Sequence, residues 1–341
     1  MLDKIFTSPE PIVSIYLFLE SSSLFLAKSL FGISWDSNNV LHSSENNNNS
    51  NHLEDKIKFL ACTLIMCHSI PFWFMNLFYE TLQLLFTKKQ LAPFRANGAL
   101  FPERSLVNKA YLYTACFHVV ISYFIYNYGA RLLLENGVVS SVSVDDLYLA
   151  IPNNHNNNHK NGTSSSSFFT SFLTSTNAHQ WSFPIYFARL LVCLFVGDFA
   201  FYCSHATLHL PFFYEHIHKQ HHMFRITCSV AAEYAAPLES IFGNVAVVLA
   251  APFLFRFHAV VWATFLFLAV HSTAMSHSGY WYPSRNLWFH DHHHRVNVGN
   301  YSSVGLWDAV FGTDKAWRRM KEKEKQLKLL SGSKSRSVSV S

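Results

Sequence analysis

Charge is what this chain has least of: Asp, Glu, Lys and Arg together make up 14% of 341 residues, against 50% hydrophobic and 16% aromatic, with 32 Phe. So apolar a composition excludes an ordinary soluble domain of this size. The formal net charge of +5 is modest, and its placement bears on membrane topology, not on nucleic-acid binding. Cysteine is scarce as well. The six, at 62, 67, 116, 193, 203 and 228, show neither a C-x-x-C pair nor the spacing of a secreted disulfide scaffold, which leaves them as small core residues. No basic n-region with a small-residue cleavage site stands ahead of the first apolar stretch, so no cleaved leader is expected.

What the chain has in abundance is long apolar runs. "FLACTLIMCHSIPFWFMNLFY", from Phe59 to Tyr79, is long enough to cross about 30 Å of hydrocarbon as a helix. Further crossings are expected at Lys109 to Tyr128, at Phe183 to Cys203, and twice within 237–280, with a bend marked by Pro252, Arg256 and His258. Pro11 to Trp35 carries Glu20 and Lys28 and is the weakest of the six spans. The expected fold is therefore all-α, a polytopic membrane helical bundle. The polar tracts "ENNNNSNH" and "NNHNNNHKNGTSSSS" bury too little surface to fold and read as loops.

Six crossings place the N-terminus, the 86–108 loop, the 204–236 segment and the C-terminus on one face. Lys88, Lys89, Arg95 and Arg104, with the basic tail from Lys315, mark that face as cytosolic. The Asn-rich loops fall on the opposite, lumenal face, where the sequons at Asn48 and Asn161 can be glycosylated.

Histidine is concentrated where the spans end. "HATLH" sets His205 and His209 one helical turn apart, directly after the fourth span. "HKQHH" supplies His218, His221 and His222, and "HDHHH" supplies His290, His293 and His294, each at i, i+3 and i+4 of one helical face. His277, in "HSGYWYP", ends the last span. Neutral imidazole is a borderline donor suited to iron, zinc or copper. Nine such residues are too many for one ion and natural for two. An even number of crossings separates the two loop bursts, so both reach the cytosolic face and a joint di-metal site lined by histidine is expected there. Asp198, two turns before His205, is expected to accept the second N–H of a ligand imidazole, and Asp291 to serve similarly. Isolated histidines such as His118 and His258 read as packing residues. Tyr280, Trp281 and Tyr282 either line a lateral lipid route or belong to an interfacial aromatic belt.

A metal transporter is the rival class, but it would set ionisable residues along a pathway through the bilayer. Here only Asp198 and Arg189 stand inside a span of the histidine-bearing region.

The order H-x-x-x-H, H-x-x-H-H, H-x-x-H-H over Phe183 to Trp317 resembles the fatty acid hydroxylase and sterol desaturase superfamily of membrane di-iron enzymes. "AEYAAPLES", "HSGYWYP", "HDHHH" and "GNYSSVGLWDAVFGTD" look most like the C4-methylsterol oxidases, and sterol 25-hydroxylases share much of the pattern. Ala206 stands where the first box usually carries Arg, and the stretch from "HSGYWYP" to "HDHHH" is short. The resemblance implies two iron ions on His205, His209, His218, His221, His222, His290, His293 and His294, with His277. It also implies O2-dependent hydroxylation of a sterol, electrons from cytochrome b5 and an NAD(P)H-dependent reductase, and residence in the endoplasmic reticulum membrane. Sterol C5 desaturation and sphingoid or fatty-acyl hydroxylation remain alternatives with the same ligand set. Three parts follow: 1–180 with spans and lumenal loops, 181–317 as catalytic domain, and 318–341 as a basic cytosolic tail.

Overall fold

The computed structural model describes residues 50–139, 142, 183–281 and 288–338. The Pro11 to Trp35 stretch, the sequons at Asn48 and Asn161, and Tyr282 lie outside them. Among the described residues every regular element is a helix and there is no β-strand.

Four helices are long and apolar enough to cross a membrane: Leu53–Leu85, Pro184–Leu208, Pro237–Phe255 and Ala259–Ser276. A helix satisfies all its interior backbone groups within itself, which is what a segment in hydrocarbon requires. The four match the expected crossings at Phe59 to Tyr79, at Phe183 to Cys203 and in the 237–280 pair. The fifth expected crossing is not among the four. Lys109 to Tyr128 is helical, as Arg104–Phe124 followed by a π turn at Ile125–Gly129 and by Ala130–Glu135. It is not one of the four apolar helices, because Asn108, Lys109 and His118 dilute its hydropathy.

The bend falls where proline and charge interrupt the last apolar run. Ala246–Phe255 contains Pro252, Arg256 takes a left-handed φ of 51°, and the next helix starts at Ala259. Large apolar side chains stay uncovered along these helices, among them Phe74 at 61%, Leu77 at 68% and Phe253 at 71% exposure. Such faces suit contact with lipid chains and not with water.

Two compact units form, each assembled from separate stretches of chain. One comprises Met1–Met75, Leu112–Gly197 and Val248–Ser272. Within it Phe59, Leu60, Phe72, Val260 and Val261 are buried, and Tyr186 Oη donates to Thr264 Oγ1 at 2.7 Å. Gly197 lets two helices approach closely, since a Cβ there would lie 2.5 Å from Phe265 Cζ. His118 accepts from Trp73 Nε1 at 3.1 Å, a packing role.

The other unit comprises Asn76–Tyr111, Asp198–Val247 and Thr273–Ser341, and holds all nine motif histidines. Its 86–103 segment is pinned by aromatic contacts. The Arg95 guanidinium lies 4.1 Å from the Phe101 ring centre and 4.7 Å from that of Tyr280, and is buried. Arg95 is thus no exposed loop charge. Tyr280 stacks on Tyr79, and Trp281 Nε1 donates to Pro93 O at 2.6 Å. These two aromatics therefore anchor the 86–103 segment.

Candidate metal centre

Each histidine box rides on a different local element. "HATLH" closes the helix Phe183–Leu208, with His205 in its last turn and His209 just past it. "HDHHH" sits on the helix Trp288–Val296. "HKQHH" is a 3-10 turn, His218–Met223, and not the α-helical face expected.

Their ring nitrogens collect into two groups. His205, His209, His218, His222 and His293 form one, and His221, His277, His290 and His294 the other, the candidate donor atoms of each lying within 4.8 Å of one another. Both H-x-x-H-H boxes divide alike. The i and i+4 imidazoles join one group and the i+3 imidazole turns to the other, so His218 and His222 part from His221, and His290 and His294 from His293. Eight of the nine are buried, and His209 is half-buried. His292 stays outside, packed on Trp317 with ring centres 5.5 Å apart.

In the first group four nitrogens close a ring. Nε2 of His209 lies 3.1 Å from that of His293 and 3.1 Å from that of His218. His222 completes it, 3.0 Å from His218 and 3.1 Å from His293. The second group runs His221, His277, His290, His294 at 3.2, 2.9 and 3.2 Å between successive Nε2 atoms.

The outer nitrogens show what these contacts are. Nδ1 of His205 donates to Tyr301 O at 2.7 Å, that of His293 to Gly299 O at 2.6 Å, and that of His277 to Thr273 O at 2.8 Å. His218 Nδ1 donates to Glu239 Oε1 at 2.8 Å. A carbonyl only accepts, so the proton sits on Nδ1 and each Nε2 of these neutral rings presents a bare lone pair. His218 and His293 are both in the closed ring, which therefore cannot be held by hydrogen bonds alone. Buried His205 Nε2 has no partner at all. A ring with 3.1 Å edges leaves a central point about 1.9 to 2.2 Å from each corner, depending on pucker, close to the ~2.0–2.1 Å metal–imidazole bond. The residues fit a pair of metal ions.

Electrostatics agree. Burial first, and neighbouring imidazoles after it, push His222 down to about 3, and burial pushes His277 down to about 4 despite its bond to Thr273. His218, His221, His290, His293 and His294 are held well below the usual range for the same reasons. In the unfolded chain these rings take up protons below about 6.5, whereas the folded ones stay neutral. Below that pH the unfolded state binds more protons. Stability of the metal-free protein is therefore expected to fall as pH drops from about 6.5 towards 4, which chemical denaturation across that range would measure. Near pH 7 metal uptake should release almost no protons, so its calorimetric heat should not depend on the ionisation enthalpy of the buffer.

The outer contacts correct two expectations. Asp198 meets no imidazole: its Oδ1 accepts from the backbone N–H and hydroxyl of Ser303, two residues from the carbonyl that holds His205. Asp291 accepts from Thr227 Oγ1 at 2.7 Å and Asn97 at 3.2 Å, and pairs with Arg295. Asp198→Asn keeps an acceptor for Ser303, so metal retention should fall by no more than about tenfold, the lower end for an outer partner. Metal analysis after dialysis against a chelator would show it.

Glu239 is the carboxylate that sequence reasoning missed. It lies in "AEYAAPLES", but no spacing rule links it to His218, 21 residues away. With Phe201, Leu208, Ala232, Gly243, Asn244 and Thr273 it lines a small cavity of about 20 Å³, whose other wall is His205, His218, His221, His277 and His290. Both imidazole groups thus face one space. Neither Tyr280 nor Trp281 lines it.

A membrane protein with two histidine clusters opening on one cavity is the class these features define. Residues 190–313 match the family model described as fatty acid hydroxylase. The chain is 39% identical to a fatty acid hydroxylase of Mycosarcoma maydis over 132 residues, which cover 38% of this chain and 34% of that one. It is 38% identical to a putative methylsterol monooxygenase of Dictyostelium discoideum over 164 residues, 45% of this chain and 60% of the relative. A very-long-chain aldehyde decarbonylase of Oryza sativa subsp. indica is 38% identical over 152 residues, 41% and 56% of the two chains. The chain therefore spans between a third and three fifths of the length of these relatives. No solved structure matches it.

Proposed function

We propose that this protein is a membrane-bound, iron-dependent lipid monooxygenase whose substrate is a sterol, most like the methylsterol monooxygenases among its relatives. One observation carries the reading: nine imidazoles collect in two groups, four of them held through the outer nitrogen by an acceptor, and members of both groups line one cavity. His205, His209, His218, His222 and His293 would hold one iron, and His221, His277, His290 and His294 the other. When bound, an iron pair supplies the activation of O2 that oxidation of an unactivated C–H bond demands, chemistry beyond any side-chain acid or base.

The chain's own part is positioning and exclusion. Tyr301 O, Gly299 O, Thr273 O and Glu239 hold four of the rings in orientation. Phe201, Leu208, Ala232 and Gly243 give the substrate an apolar wall and limit water beside the reacting carbon. Eight of the nine imidazoles lie outside the four apolar helices, His205 being the exception, which favours a centre at a membrane boundary over a transport path through it. The basic tail and loop support a cytosolic boundary, with the endoplasmic reticulum as its membrane and cytochrome b5 with its reductase as electron source.

A straight-chain substrate is the second reading, favoured by the similarity to a fatty acid hydroxylase and an aldehyde decarbonylase. Lipid profiling of cells lacking the protein separates the two. Accumulation of 4-methylsterols is the expected result, and unchanged sterols with altered acyl or sphingoid lipids would replace the first reading by the second.

A further inference from the structure

The stretch from Ser303 to Phe311 runs beside the end of a membrane-crossing helix. Along Pro184–Leu208, Asp198 Oδ1 accepts from Ser303 N at 2.8 Å, the Phe199 ring centre lies 4.6 Å from that of Trp307, and Tyr202 stacks on Phe311 at 5.0 Å. The 25 residues of that helix measure about 37 Å, against about 30 Å of hydrocarbon. At most about 7 Å of it can therefore protrude at this end. Tyr202 and Phe199 stand six and nine residues before Leu208, about 9 and 13 Å along the axis, so both rings stay at or inside the hydrocarbon edge. Their partners Phe311 and Trp307 lie at the same level.

What this stretch turns outward is apolar. In the helix Leu306–Phe311, Trp307 and Phe311 lie one turn apart and face the crossing helix, whereas Leu306 and Val310, also one turn apart, are exposed on another face. Val304 is 74% exposed and Val310 62%. Clustered apolar side chains of this kind mark a surface that meets something other than water. The backbone is also closed in the way hydrocarbon requires. Asp308 accepts from the N–H groups of Tyr301 and Ser302, Ser302 Oγ accepts from that of Gly305 at 2.9 Å, and Asp198 accepts from that of Ser303. Directly afterwards charge takes over. The helix Lys315–Val338 carries six cations and two carboxylates up to Gln326, and Lys315, Arg319, Lys323 and Lys325 are exposed. Trp317 fixes its first turn against Phe289, with 5.7 Å between ring centres.

We propose that residues 304–325 form an interfacial foot: Val304, Leu306 and Val310 enter the acyl layer beside the crossing helix, and the helix from Lys315 rests on anionic headgroups of the same leaflet. The partner is a lipid surface of net negative charge. Each Lys or Arg that reaches such a surface favours it by about fivefold. The depth set by Phe199 and Tyr202, and a backbone whose N–H groups are taken by the chain's own side chains, favour lipid over a water-borne protein as the occupant. This goes beyond the monooxygenase reading and requires only that the apolar helices cross a membrane. The foot is one piece with the loop whose Gly299 and Tyr301 carbonyls hold His293 and His205.

The test places the full chain in nanodiscs of phosphatidylcholine, with and without phosphatidylserine. A nitroxide is attached to Val310→Cys in a background of Cys116→Ser and Cys203→Ser, which removes the two exposed thiols, and that background without Val310→Cys supplies the blank. Electron spin resonance then reads collisions of the label with oxygen, which concentrates in lipid, and with a water-soluble nickel chelate. Collisions with oxygen should persist and those with the chelate should be lost, as for a label on an acyl chain. Val304→Cys carries the same label should Val310→Cys fold poorly. Amide exchange over 315–326 should slow by about fivefold or more when phosphatidylserine is added, and Arg319→Glu combined with Lys323→Glu should abolish that slowing. A label that meets the chelate freely, or one shielded from both reagents as beneath a protein partner or a second copy, would overturn the proposal. So would exchange that ignores phosphatidylserine, or that slows equally in the doubly substituted chain.

Discussion

His293→Ala is expected to abolish turnover and to strip metal from the five-imidazole group. His293 is fully buried, its Nε2 lies 3.1 Å from both His209 and His222, and its ring centre is 4.5 Å from that of His205. Deleting it opens the ring of nitrogens and removes the one donor that "HDHHH" contributes to this group. The loss should exceed the tenfold to hundredfold of an outer partner, because a bond to the metal is removed and not merely its orientation. Metal analysis of the purified protein, with sterol oxidation assayed in parallel, checks it. His292→Ala is the internal control: this neighbouring ring packs on Trp317 and belongs to neither group, so bound iron should stay near the unsubstituted level. Full iron content and activity in His293→Ala would dismantle the assignment of the first group.

Gly299→Ala is expected to match a ligand deletion in effect without touching an imidazole. Gly299 has φ of 72°, and a Cβ on it would come 2.1 Å from Thr313 O. Its own carbonyl accepts from His293 Nδ1. The neighbouring backbone is bound tightly, with Asp308 accepting from Tyr301 N at 2.8 Å and Ser302 N at 2.7 Å. The loop therefore cannot swing aside cheaply. Left-handed strain and overpacking together should cost about 2–5 kcal/mol of stability, and the displaced carbonyl should release His293 to rotate. Lowered thermal midpoint and reduced iron stoichiometry, measured together, are the expected signs. An alanine variant that keeps both would show that the carbonyl of residue 299 does not orient the ring.

Much of this site was legible in the chain because metal ligation leaves a repeated signature. Imidazoles three and four residues apart in two boxes and four apart in a third have few other physical causes, and these eight meet, with His277, in the two groups. The apolar helices were legible for a similar reason: about twenty residues without charge have one common use. The 109–128 stretch is helical as expected but less apolar than the four. Asp198 misled because helical arithmetic puts it on the face of His205, whereas its oxygen is taken by Ser303, about a hundred residues further along the chain.

Composition and spacing by themselves determined an all-helical membrane chain and the identity of its candidate metal ligands, since both follow from short-range rules of transfer free energy and helical period. Tertiary structure alone decided how each H-x-x-H-H divides between two centres, and that the outer partners are the carbonyls of Tyr301, Gly299 and Thr273 together with Glu239. Backbone carbonyls carry no residue-type signal, and which ring they meet depends on loops that close over long stretches of chain.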